Sequence, residues 1–154
     1  MSITHATFVV ERSFAAAPAT VFAALSDPAI KRQWFAASDH HQLVAFDTDF
    51  RPGGLQHLHY KFGEQSPFPG IDLTDESAFQ AIVPDSRIVT TSMMAIGGQP
   101  MSVSLTTFEL APNGTGTELT CTHQVAFFEN ADGPVMREAG WRALLDKLGA
   151  VLEG

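Results

Sequence analysis

Of cysteine and tyrosine this 154-residue chain holds one each, and of lysine and arginine together only nine. The lone Cys121 excludes an internal disulfide, which suits a reducing compartment. Nine basic residues against seventeen acidic ones leave a formal net charge of −8. A surface that negative repels phosphate backbones, so neither nucleic acid nor an anionic membrane is expected as a partner. No apolar run approaches the roughly 18–20 residues that a bilayer crossing needs. The opening MSITHATFVVERSF lacks the basic segment and long apolar stretch of a secretory signal, so a cytoplasmic protein is expected. The patterns GxSxG, HExxH, CxxC, GxGxxG and GxxxxGKS/T are all missing, which removes the usual sequence signs of a serine hydrolase, a zinc protease, a redox pair and a phosphate loop. No cofactor and no metal are expected.

What the chain does hold is apolar bulk. Hydrophobic residues make up 45% and charged residues 17%, with twelve Phe and two Trp. That composition builds a core, and the length suits one domain over residues 1–154. Residues 3–14 are rich in β-branched and aromatic side chains and predict a first strand. Val21, Phe22 and Leu25 then recur at helical spacing after Pro18, which fits a first helical turn. Ser26-Asp27-Pro28 ends that helix and starts another, with Asp27 as N-cap, carrying Ile30, Trp34 and Phe35. From residue 40 onward the pattern is strand and turn, with strands predicted over 42–46, 55–62, 76–83, 87–96, 101–110 and 117–127. Pro52-Gly53-Gly54, Pro84-Asp85-Ser86, Gly97-Gly98 and Pro112-Asn113-Gly114 punctuate them and favour antiparallel meander pairing. Residues 63–73, with two prolines and a glycine at position 70, predict a longer loop. The last element is a helix over 135–152, in which Trp141, Leu145, Leu148 and Leu152 share one face.

This order predicts an α+β fold: a curved seven-stranded antiparallel sheet around a long C-terminal helix, with two short helices after the first strand. One sheet face must be buried against the helix. Twist curls the sheet, and a single helix leaves part of the concave side unfilled, so a pocket for a small hydrophobic or aromatic molecule is expected. Alternation proposes the lining. On the third strand Leu58, Tyr60 and Phe62 face inward, and His57, His59 and Lys61 outward. On the sixth, Met101, Val103, Leu105 and Thr107 align; on the seventh, Leu119, Cys121, His123, Val125 and Phe127 do. Adding Phe22 and Trp34 from the short helices and Trp141, Leu145 and Leu148 from the last one completes the apolar set. Cys121 is expected to be an inert packing residue.

The runs SDPAIKRQWF, DFRPGG, IVPDSRIVTTSMM, SVSLTTFEL, GTGTELT and GWRALLDKLGAVL, in this order, resemble the START/Bet v 1-like (SRPBCC) superfamily. Within it, they resemble the proteins named for activator of heat shock protein 90 ATPase homologues. The resemblance spans essentially the whole chain and implies a helix-grip domain whose cavity binds hydrophobic ligands. It also admits an enzyme of the aromatase/cyclase or hydrolase type using the same cavity, and a chaperone-interacting protein. The strand beginning Glu76-Ser77-Ala78-Phe79 resembles the family's glutamate-containing fourth strand, which implies that Glu76 projects to the cavity mouth.

His123 on the apolar face of the last strand is therefore expected to join Glu76 and Tyr60 in a polar cluster that orients a ligand oxygen or, in an enzyme, acts as acid or base. His57 and His59 sit two apart at a spacing that can chelate a metal, but Lys61 shares their face and the reading adopted is a solvated outer surface. Exposed sheet edges are compatible with a homodimer. Gly140 and Gly149 inside the last helix point to close packing or to freedom of movement there.

Overall fold

The computed structural model describes residues 2–154. Strand β1 runs from Thr4 to Phe14, and helix α1 from Pro18 to Ser26. Pro18 occupies the first turn, where its missing N–H costs nothing. Asp27 caps the second helix, α2 (Pro28–Lys31), and its carboxylate accepts from the Ala29 and Ile30 N–H groups at 2.9 and 3.4 Å. The predicted second helix does not continue regularly through Trp34 and Phe35. From Arg32 to Ala36 the backbone widens into a π-helical turn, a form frequent at functional sites. This turn places Trp34 inside the protein, where its indole N–H donates to the Ala24 carbonyl at 2.8 Å.

Six more strands follow: β2 (Gln42–Thr48), β3 (Leu55–Lys61), β4 (Asp72–Val83), β5 (Arg87–Ile96), β6 (Gln99–Asn113) and β7 (Gly116–Phe127). They form one antiparallel sheet in the order β1-β7-β6-β5-β4-β3-β2. Helix α3 (Pro134–Glu153) lies across its inner face. This is the α+β helix-grip arrangement that the element order implied. Strand β4 starts earlier than predicted because Asp72 to Asp75 pair with Lys61 to Leu58, which shortens the preceding loop. Among the described residues no helix is long and apolar enough to cross a membrane.

The solid part of the core sits at the β1/β7 side. Leu145 and Leu148 of α3 are fully buried there with Val10, Leu119 and Cys121, under Val21 and Leu25 of α1. The Cys121 thiol is pushed up to about 12 by burial, as befits a packing residue. Gly149 belongs to this tight end, since a Cβ on it would stand 3.4 Å from the Phe14 ring. Gly140, nearer the start of α3, meets nothing within 4 Å.

The register corrects the inward set on β6. Directly opposed residues of neighbouring strands point to the same side of a sheet. Phe127, Val125, His123, Cys121 and Leu119 face inward on β7, and their partners are Ser102, Ser104, Thr106, Phe108 and Leu110. Those five are buried, whereas Val103 is exposed and Leu105 lies on the outer face with it. Glu76 is corrected for the same reason: it opposes His57 on β3 and Met93 on β5, all three on the outer face, and its carboxylate pairs with His57.

Candidate functional site

The inner sheet face carries a polar stripe. Ser104, Ser92, Ser77 and Gln56 lie in successive register on β6, β5, β4 and β3. Beside it runs the row Ser102, Met94, Asp75 and Leu58. Helix α3 and the π-helical turn bridge over this part of the sheet without filling it.

Among the described residues two adjoining spaces lie under this bridge. An inner chamber of about 60 Å³ is walled by Trp34, Phe108 and Trp141 and reached by Lys31, Gln56, Asp75, Thr106, His123 and Arg137. An outer cavity of about 480 Å³ lies between Leu58, Tyr60 and Leu73 of the sheet and Met136, Gly140, Trp141 and Leu144 of α3. Phe35, Asp75, Met94, Arg137 and Trp141 border both. The larger space is mostly apolar, and Asp75 and Arg137 stand where it adjoins the inner chamber.

Each charge there has an identifiable setting. Arg137 enters from the first turns of α3 and is almost wholly buried. Its Nε and Nη2 donate to the two Asp132 carboxylate oxygens, both at 2.8 Å, and Nη2 also donates to Ser102 Oγ at 2.9 Å. Gly133, at φ 86° and ψ 169°, makes the turn that brings Asp132 beside the helix, a conformation essentially restricted to glycine. Asp75 Oδ1 accepts from the hydroxyls of Ser77 and Ser92. Burial nevertheless raises its pKa, against those two bonds and the charges of Arg137 and Lys31. Lys31 donates to Gln56 Oε1 at 2.7 Å and lies over the rings of Phe35 and Phe79. Burial lowers its amine to about 8, with Asp75 pulling the other way.

His123 is locked in one tautomer. A guanidinium only donates, so the approach of Arg137 Nη1 to Nε2 at 3.5 Å makes Nε2 the acceptor. Nδ1 then carries the proton and donates to Thr106 Oγ1 at 2.8 Å. Burial first, and the Arg137 charge second, push the imidazole down to about 4. A free histidine titrates near 6.5, so between those values the unfolded chain takes up a proton that the folded one refuses. The stability due to this group is complete above pH 6.5 and is lost as the pH falls toward 4. Acidification from pH 7 to 4.5 is expected to cost about 2–3 kcal/mol through His123. Asp75 acts in the opposite sense, because a raised carboxyl favours the fold at low pH and loses that contribution as pH rises through its folded value. Urea denaturation of the protein and of His123→Asn at the two pH values checks this: the variant should lose less by that amount, and equal losses would refute it.

Of the residues proposed from sequence, Trp34 and His123 line the inner chamber, Leu58 and Tyr60 the outer one, and Trp141 both. The Tyr60 hydroxyl donates to the Ala36 carbonyl, and burial raises it to about 12, which keeps it a phenol. The others are elsewhere. Phe22 packs edge-on against Phe50, and Leu145 and Leu148 fill the core beyond the cavity. Phe62 lies just past the end of β3 between His41 and Phe68. Leu105 and Glu76 face outward. The expected cluster of His123, Glu76 and Tyr60 is therefore not formed; the partners of His123 are Thr106 and Arg137. Sequence reasoning missed Lys31, Gln56, Asp75, Arg137 and the serines. On the outer face His57 pairs with Glu76, and His59 Nε2 meets Asp72 Oδ1 at 2.8 Å.

Comparison with known proteins follows the same lines. A sequence profile for the family described as "Activator of Hsp90 ATPase homolog 1-like protein" matches residues 15–153. Among solved structures, a Rhizobium loti protein is 44% identical, with 98% of this chain and 99% of that one aligned at a TM-score of 0.88. A Rhizobium leguminosarum protein is 35% identical over 99% and 97%, at 0.91. A protein of the dynemicin biosynthetic locus shares the fold at 19% identity, covering 96% of this chain and 47% of that one, at 0.66. No curated protein matches.

Proposed function

Because this chain belongs to the family of Activator of Hsp90 ATPase homolog 1-like proteins, within the SRPBCC superfamily, we propose that it binds a small, mainly apolar or aromatic molecule between sheet and α3, with an oxygen-bearing end of that molecule directed at Asp75 and Arg137. The observation that carries this reading is the 480 Å³ cavity, mostly apolar in its lining, with Asp75 and Arg137 at its border with the inner chamber. Apolar surface gains roughly 25 cal/mol per Å² on leaving water. An aromatic body hiding about 200 Å² thus gains about 5 kcal/mol before the entropy of ordering is subtracted. The hydroxyls and charges where the two spaces adjoin favour a ligand with an oxygen-bearing end over a purely hydrocarbon one, which offers them no hydrogen bond.

Gly140 offers a test that spares the fold. Its missing side chain opens toward the cavity, and a glycine within a helix costs about 1 kcal/mol relative to alanine. Gly140→Leu should therefore keep or raise the melting temperature while filling part of the cavity. With a panel of aromatic ketones and tryptophan fluorescence as readout, affinity is expected to fall at least tenfold in the variant. Unchanged affinity in a folded Gly140→Leu protein would place the ligand elsewhere and defeat the reading.

A further inference from the structure

We propose that the Lys31 amine forms an imine with a carbonyl-bearing ligand of this cavity, and that Asp75 supplies the proton with which the carbonyl oxygen departs as water; this rests on the binding reading above and specifies its chemistry. Three lysines occur in the chain, at positions 31, 61 and 147. Lys61 pairs with Asp72 at the sheet surface, and Lys147 reaches the Ala37 carbonyl from the exposed side of α3. Lys31 alone is internal, 7% exposed; it lines the inner chamber, and its amine donates to Gln56, which lines that chamber too. Its one hydrogen-bond partner among the described residues is the neutral Gln56 amide, which leaves N–H groups free to meet a ligand oxygen.

The groups that face it make carbonyl chemistry the natural match. Asp75 from β4, Arg137 from α3 and His123 from β7 border the same chamber. Arg137 is already committed to Asp132, and His123 is a neutral ring with both nitrogens engaged. That leaves one nucleophile and one acid. Enclosure lowers the amine to about 8, so a useful share is unprotonated near neutral pH, and it holds the Asp75 carboxyl above the ordinary carboxylate range.

The step balances without any further reagent. The neutral amine attacks the carbonyl carbon, an N–C bond forms, and one N–H proton passes to the oxygen. Asp75 protonates that hydroxyl, the C–O bond breaks, and water leaves. An iminium cation remains beside the Asp75 carboxylate. The apolar remainder of the ligand extends past Phe35 and Trp141, which line both spaces, toward the larger cavity.

The test uses the whole protein with cinnamaldehyde and sodium cyanoborohydride at pH 8 and pH 6. Tryptophan quenching reports binding, and peptide mass spectrometry locates the reduced adduct among the three lysines. At pH 8 Lys31 should carry at least ten times the label of Lys61 or Lys147, and its labelling should fall at least tenfold at pH 6, where the amine is protonated. Compared at equal cavity occupancy, as judged by quenching, Asp75→Asn should label Lys31 at least fivefold more slowly than the parent. Quenching with equal labelling of the three lysines, or with none at Lys31, overturns the imine and leaves the cavity reading standing. Labelling of Asp75→Asn at the parent rate overturns the role given to Asp75. If the aldehyde neither quenches the tryptophans nor forms an adduct at Lys31, both readings are overturned.

Discussion

Trp34→Ala is expected to lower the unfolding free energy by about 4 kcal/mol and the thermal midpoint by about 8–16 °C. The indole is fully buried and stacks edge-on against Phe35 at 5.6 Å between ring centroids. Removing it takes away a large apolar surface and opens a void at the inner chamber. Its N–H also satisfies the Ala24 carbonyl in the last turn of α1, one of the helix-end acceptors with no partner within the helix. The loss therefore has a packing part and a polar part. Trp34→Phe keeps most of the first and none of the second, and should cost roughly half as much. Differential scanning calorimetry of both variants separates the parts. An alanine variant within about 1 kcal/mol of the parent would mean that the π-helical turn does not hold α1 in place.

Arg137→Met should cost about 3 kcal/mol, at the low end for breaking a buried ion pair, because Asp132 keeps some access to water at 23% side-chain exposure. Methionine replaces most of the stem volume, so the penalty is chiefly the stranded carboxylate, with the lost donor to Ser102 added. Replacing Arg137 and Asp132 together, by Met and Asn, should recover more than half of that loss in a double-mutant cycle on urea unfolding. Additive losses would show that the guanidinium acts through Ser102 and His123 instead. The single variant should also raise the His123 pKa, since the neighbouring cation is one of the two causes holding it down; NMR titration of the imidazole reads this directly.

The element order was legible from residues alone because its signals are local. Asp27-Pro28 announces a cap, the Gly and Pro clusters announce turns, and Trp141, Leu145, Leu148 and Leu152 announce a helix face. Inward and outward sides on β3 and β7 also followed from alternation, since each carries one polar and one apolar set. On β6 that rule misled. Val103 and Leu105 look like part of a core face, and Ser102, Ser104 and Thr106 look like a wet one, but the enclosed side needs hydroxyls to serve Arg137, His123 and the polar stripe. Hydropathy reports burial only where the interior is apolar, and beneath this part of β6 it is not. The pairing rule would have repaired the error, because His123 facing inward obliges its neighbour Thr106 to do the same. Likewise Glu76 and His57, as opposed residues, could not be placed on different faces once their register was known. Lys31 gave no warning. Within PAIKRQW it reads as one more surface cation, and only the widened turn after it shows where its amine goes.

The sheet order has a consequence for assembly of the chain. β1 and β2 adjoin in sequence but occupy opposite edges, and β1 pairs only with β7, its nearest register partners being Phe14 and Thr117. During synthesis the first strand therefore emerges with no mate and waits for nearly the whole polypeptide before it can dock. The hairpins from β2 to β7 can zip up successively meanwhile, each joining neighbours already made. Closure by the N-terminal segment is the high-contact-order event, and until it happens the free edge of β7 is open to the same segment of another nascent copy.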